Sequence, residues 1–143
     1  PQDRSSAASD VYKRQVPHII LGLHFGKMLG EWKALEMTAK YPLKLLVLVI
    51  LMPLSGTKME QVQPPPADEI GAFFETARRA LPETEIMLGC ARPLGGIKKE
   101  IDRLAINAGL NGIAYPAEGT VAYAREHGLE PQIINACCGV NWN

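Results

Sequence analysis

The chain has 143 residues, 47% of them hydrophobic and 21% charged, which suits one globular unit and is too apolar for disorder. Fifteen Lys and Arg balance 15 Asp and Glu, so no net charge directs the chain to nucleic acid or to an anionic membrane. The 3 cysteines, two of them adjacent at Cys137 and Cys138, form no disulfide framework and fit a reducing compartment, so a cytoplasmic location is expected.

Residues 1–15, P-Q-D-R-S-S-A-A-S-D-V-Y-K-R-Q, are polar and aperiodic and break sharply into the apolar run that starts at Val16. They read as an adapter-derived or disordered segment that packs on nothing, with the native N-terminal part of the protein missing. The fold is expected from residue 16 to residue 143. Pro17 to Gly26 reads as a buried strand with a Gly-rich exit. Glu31 to Tyr41 carries Trp32, Leu35 and Ala39 at helical spacing and ends before Pro42. Leu43 to Leu54 is a continuous apolar run, too short to span a bilayer and suited to a strand covered on both faces.

Ser55-Gly56-Thr57 turns the chain, and Pro64-Pro65-Pro66 bounds a loop. Asp68 is the expected N-cap of a helix to Leu81, with Ile70, Phe73, Phe74 and Ala77 on one face. A strand from Glu85, a helix from Ile97 to Ala108 with a left-handed cap at Gly109, a strand from Asn111 to Tyr115 and a helix from Thr120 to His127 follow. Pro131 to Cys138 closes the chain as a short apolar segment. Strand and helix thus alternate, which predicts an α/β fold with a parallel sheet. A doubly wound domain and part of a barrel give the same alternation. In either, ligands collect at the carboxyl ends of the strands, here the Gly- or Pro-bearing tips at 22–30, 52–57, 89–96 and 115–119.

The segment G-C-A-R-P followed by K-K-E-I-D-R-L-A-I-N-A-G-L-N-G-I-A-Y-P resembles the C-terminal barrel half of radical S-adenosylmethionine enzymes of the biotin synthase type. Upstream, L-M-P-L-S-G-T-K-M-E resembles that family's strand ending in a Gly-Thr-Pro turn, and G-L-H-F-G-K-M-L-G-E its Gly-rich strand closing on Gly-Glu. The match runs in consistent order over residues 17–130 and extends to the biotin synthase-related proteins, some of which act as lipoyl synthases. It implies the C-terminal part of a TIM-type barrel and a radical enzyme in its complete form, with this piece inactive. The implied reaction abstracts hydrogen from an unactivated carbon, with sulfur insertion of the biotin or lipoyl type, on a small-molecule or protein-bound acyl substrate.

The implied cofactors are S-adenosylmethionine and a [4Fe–4S] cluster. The C-x-x-x-C-x-x-C triplet that holds this cluster is absent from the chain and expected upstream. Gly30 and Glu31 are the candidates to approach the adenosyl part, and Met52, Pro53, Gly56 and Thr57 to line the adenine. Arg92 matches the family's arginine that faces an auxiliary cluster from the barrel interior and is the candidate catalytic residue; the competing reading pairs it with Glu31 or Glu118. Cys90, Cys137 and Cys138 are candidate cluster ligands, each against the plainer reading of a small buried hydrophobe. His18 and His24 stand where biotin synthases carry a cysteine, which leaves the auxiliary cluster open. His127, at a helix C-terminus, complements the dipole. The alternative from another class is a non-redox α/β domain that binds a phosphate or small molecule at the strand tips.

Overall fold

The computed structural model describes residues 15–136 and 138. The expectations for residues 1–14 and for Cys137 lie outside the described residues. Its elements run β1 (His18–Leu21), α1 (Glu31–Thr38), β2 (Leu45–Ile50), α2 (Ala67–Ala80), β3 (Glu85–Leu88), α3 (Gly96–Asn107), β4 (Gly112–Ile113) and α4 (Thr120–Glu126).

β2 is the apolar run Leu-Leu-Val-Leu-Val-Ile, and all of its residues are buried. It can be so because it has a strand on each side and apolar partners on both faces. β1 pairs it in parallel with His18 opposite Val47, and β3 pairs it in parallel with Leu45 opposite Glu85. β4 adds to β3 through Met87–Gly112 and Leu88–Ile113, giving one parallel sheet of order β1-β2-β3-β4. The fold is therefore α/β, with strand order equal to chain order and no reversal point.

Side chains alternate across the strands, and the two faces are covered differently. Ile19, Leu21, Leu46, Leu48, Ile50, Ile86 and Leu88 join Leu35, Ile70, Phe73, Phe74, Ala77, Ile101 and Ala105 of the helices in one core. α2 contributes most, because Ile70, Phe73, Phe74 and Ala77 recur at helical spacing and leave no apolar side chain of that stripe in water. Burying each of its phenylalanines stabilises by about 1.5–3 kcal/mol. The opposite face carries Leu45, Val47, Val49 and Met87 with Cys138, flanked by Val16, Ala91 and Ala114. Val47 is fully buried on this face, whereas Ile20 of β1 is exposed.

The helix ends show why boundaries shift by a residue or two. Asp68 is not the N-cap of α2. The helix begins at Ala67 behind Pro66, whose fixed φ leads into the first turn, and Asp68 and Glu69 instead complement the dipole from within that turn. Gly109 takes the expected left-handed conformation at φ 75° and closes α3. At the amino end of the sheet Arg78 donates to Asn111 Oδ1 at 2.9 Å and to the carbonyls of Leu81, Pro82 and Thr84, tying α2 to the start of β3. Among the described residues no helix is long and apolar enough to cross a membrane.

Candidate functional site: the carboxyl rim

Parallel pairing brings the loops after β1, β2, β3 and β4 to one edge of the sheet, so every candidate on those loops shares one rim. The loop after β1 returns through Gly22 and Gly26, both with positive φ near 82°. Glycine is needed there for a second reason. A Cβ on Gly22 would stand 2.5 Å from Pro65 Cδ, and one on Gly26 would overlap the Gln63 carbonyl oxygen. The Gly-rich exit is thus a latch against the Pro-rich loop before α2.

Glu31 opens α1 and is buried. Its Oε1 accepts from the Gly22 and Leu23 N–H groups at 3.0 and 3.3 Å, and its Oε2 from Leu29 N–H at 2.7 Å. The carboxylate therefore holds its own loop, and the part of the Gly30-Glu31 pair that a ligand can meet is the backbone. Gly30 has ordinary helical φ and nothing within 4 Å of where a Cβ would be, so neither conformation nor packing requires glycine at this position.

After β2, Met52, Leu54, Gly56 and Thr57 are exposed and Pro53 is half-buried. The turn satisfies itself: Gly56 N–H donates to Glu60 Oε2 at 2.8 Å, and the Thr57 hydroxyl donates to the Leu54 carbonyl at 2.7 Å. Gly56 needs glycine for its φ of 79°, and it too faces open space.

Arg92 corrects the expectation drawn from the stretch Gly89-Cys90-Ala91-Arg92-Pro93. Its head does not face the inner side of the sheet, and it pairs with neither Glu31 nor Glu118. The side chain is enclosed and reaches α3, where Nε donates to Asp102 Oδ1 at 2.9 Å with both side chains 0% exposed. Its terminal nitrogens donate to the carbonyls of Gly89, Ala114 and Tyr115 at 2.6, 2.8 and 3.0 Å. Asp102 Oδ2 in turn accepts from Ala117 N–H at 2.7 Å and from the Thr120 hydroxyl at 3.0 Å. The physical reason is desolvation: a cation at this depth is stable only if a counter-charge and carbonyls surround it, and these come from α3 and the β4 tip. The network joins the tips of β3 and β4 to the middle of α3 and the start of α4. The missed residue is Asp102. Its signal was an aspartate beside Ile101 on the apolar stripe of a helix that follows a strand-tip arginine.

The two described cysteines do not converge. Cys90 is an exposed thiol at the β3 tip, whereas Cys138 is buried on the inner face of the sheet. His18 Nδ1 lies 2.9 Å from the Val16 carbonyl at the amino end of β1, His24 stacks edge-on against Phe25, and His127 Nδ1 meets the Tyr123 carbonyl at 2.8 Å. Among the described residues no group of three or more His, Cys, Asp or Glu is placed to hold a metal ion.

What the rim does expose is apolar. Leu23, Phe25, Leu29, Leu54, Leu94 and Tyr115 all stand in water there, Tyr115 at 77%. Phe25 and Tyr115 are also the non-glycine residues with positive φ among those described, at 49° and 48°. Together the sheet and its rim define a parallel α/β domain whose strand tips carry bare backbone and apolar side chains, with Glu31, Arg92 and Asp102 engaged in internal hydrogen bonds. No protein-family model, no curated protein and no solved structure matches the chain.

Proposed function

We propose that the chain is the C-terminal arc of a radical S-adenosylmethionine barrel of the biotin synthase type, and that its carboxyl rim receives the adenosyl part of that cofactor. The observation that carries the reading is the strand order β1-β2-β3-β4 with the helices α1, α2 and α3 all in the core on one face, which is how a barrel arc is built and a doubly wound sheet is not. The motif-bearing loops then fall on one rim in chain order.

The rim fits the cofactor at Gly30 and Gly56, where a missing Cβ leaves backbone open to a flat ring. When bound, S-adenosylmethionine supplies the radical that abstracts hydrogen from carbon. The chain's own residues orient it: Glu31 fixes the Gly22–Leu29 loop, the Thr57 turn presents the Met52–Gly56 backbone, and the Arg92–Asp102 pair holds the β3 and β4 tips in register. The described residues do not fit a [4Fe–4S] cluster, because Cys90 and Cys138 stand at different places and no third ligand joins either. In this reading the cluster belongs to a C-x-x-x-C-x-x-C upstream of Val16, and hydrogen abstraction from a small-molecule or protein-bound acyl substrate is an activity of the complete protein.

Titration calorimetry of the chain with S-adenosylmethionine tests the proposal. The expected result is weak binding, with Kd on the order of 0.1–1 mM, weakened several-fold by Gly30→Ala while the unfolding midpoint holds. Absence of binding, together with a complete gene that lacks the cysteine triplet, defeats it.

A second reading is favoured by the start of α3. No side chain caps Gly95, the first turn holds no acid, Lys98 and Lys99 follow, and Gly95 and Gly96 face open space. Free N–H groups and lysines there suit an anion. Binding of inorganic pyrophosphate that survives Gly30→Ala and falls with Lys99→Gln favours this non-redox domain over the radical enzyme.

A further inference from the structure

The loop after β1 makes a tight reversal at His24–Lys27. Lys27 N–H donates to the His24 carbonyl at 3.0 Å, and the two residues form an isolated antiparallel bridge. Between them φ is positive twice, 49° at Phe25 and 82° at Gly26. That is the pattern of a type I′ turn, whose first central position favours Asn, Asp or Gly because a side chain is crowded there. Gly26 meets the requirement and Phe25 breaks it. The turn has no latitude to relax. Glu31 accepts from the Gly22, Leu23 and Leu29 N–H groups on either side of it, Gly26 N–H donates to the Gly22 carbonyl at 2.9 Å, and the Gly26 backbone lies against the Gln63 carbonyl. Nor does the ring stabilise the fold in return, since Phe25 is 58% exposed and meets the His24 ring only edge-on, at 5.6 Å between centroids. A non-glycine residue held at positive φ by the structure around it is a feature that clusters at ligand clamps.

We propose that Phe25 is a ligand-contacting residue, whose ring stacks on the adenine of a bound nucleoside. The assignment rests on the reading of the rim as an adenosyl site and adds to it the group that grips the base. Asparagine or glycine would serve the turn better, so the phenyl ring answers to something outside the fold. The surface around it is apolar, with Leu23 and Leu29 standing in water on the same loop, and Gly30 beyond them leaves its backbone open to a flat group. An aromatic plane on a fixed support in an apolar setting is what base stacking requires.

Saturation-transfer NMR of adenosine with the whole chain, in its parent, Phe25→Leu and Phe25→Asn forms, tests the assignment. Phe25→Leu keeps the apolar bulk and removes the plane. Phe25→Asn places a residue that tolerates positive φ. In the parent, the adenine H2 and H8 protons are expected to take up more saturation than the ribose protons. In both variants the apparent Kd should rise at least about fivefold, while the thermal midpoint of Phe25→Asn holds or rises. Tyr115→Asn is the control. It makes the same change at the β4 tip, about 14 Å away across three strand spacings, and should leave adenosine binding as it was. Binding that survives both Phe25 substitutions overturns the stacking role and leaves the adenosyl reading standing, whereas a parent that binds neither adenosine nor S-adenosylmethionine overturns both. A midpoint that falls in Phe25→Asn, or an equal loss of binding in Tyr115→Asn, assigns the ring to the fold or to the rim at large and also defeats the inference.

Discussion

The Arg92 guanidinium has its donors met by Asp102 and by the carbonyl oxygens of Gly89, Ala114 and Tyr115, and none of it reaches water. Arg92→Ala therefore leaves a carboxylate buried without its counter-charge, and the expected loss is about 3–5 kcal/mol of unfolding free energy. Arg92→Met combined with Asp102→Leu should recover much of that loss, because removing both charges also removes both desolvation penalties. Urea denaturation of the two variants checks this, and a single mutant with an unchanged midpoint would contradict the buried pair. Glu85 presents the opposite case: its Oε2 is buried without a hydrogen-bond partner, on the same side of β3 as Met87. Replacing it by methionine, similar in length and apolar, is expected to raise stability by on the order of 1 kcal/mol, read as a higher urea midpoint at unchanged slope.

The glycines sort by whether an element needs them. Gly26 is left-handed and pressed against the Gln63 carbonyl, so Gly26→Ala should cost about 1–3 kcal/mol through strain alone. Gly30 has neither reason, and Gly30→Ala should leave thermal stability within about 1 kcal/mol of the parent. The pair of measurements separates glycines kept for folding from those whose bareness is available to a ligand. Which elements exist was legible from periodicity: α2 is announced by Ile70, Phe73, Phe74 and Ala77, and β2 by six consecutive apolar residues. What periodicity does not encode is direction beyond the element. Arg92 and Glu31 look alike in sequence, polar residues on Gly-bearing tips, and only the tertiary structure shows that one meets an aspartate ten positions on and the other the N–H groups of its preceding loop. The latch between Gly26 and Gln63 was equally hidden, since it joins loops far apart in the chain.

At the scale of the whole molecule the sheet has two edges. Among the described residues β1 pairs only with β2, and β4, two residues long, only with β3. β4 is blunted by its length, so β1 is the edge on which another strand can add. Its residues alternate between a buried set, Ile19 and Leu21, and an outward set, His18 and Ile20, so the strand offers free backbone groups together with an exposed branched side chain at Ile20. That combination favours self-association through the edge, where apolar contact and new ladder hydrogen bonds add. Lysine at Ile20 should suppress it, since a charge on the concave side of an edge strand must be desolvated before a second strand can lie against it. Ile20 is 39% exposed, and a lysine stem can cover the same apolar surface while its ammonium reaches water at the edge, so the urea midpoint should stay within about 1 kcal/mol of the parent. Sedimentation velocity over a concentration series supplies the measurement: Ile20→Lys is expected to hold a single slow boundary at concentrations where the parent shifts to faster species. Association that persists unchanged in the lysine variant would place the contact elsewhere, with the apolar rim around Phe25 and Tyr115 as the next surface to substitute.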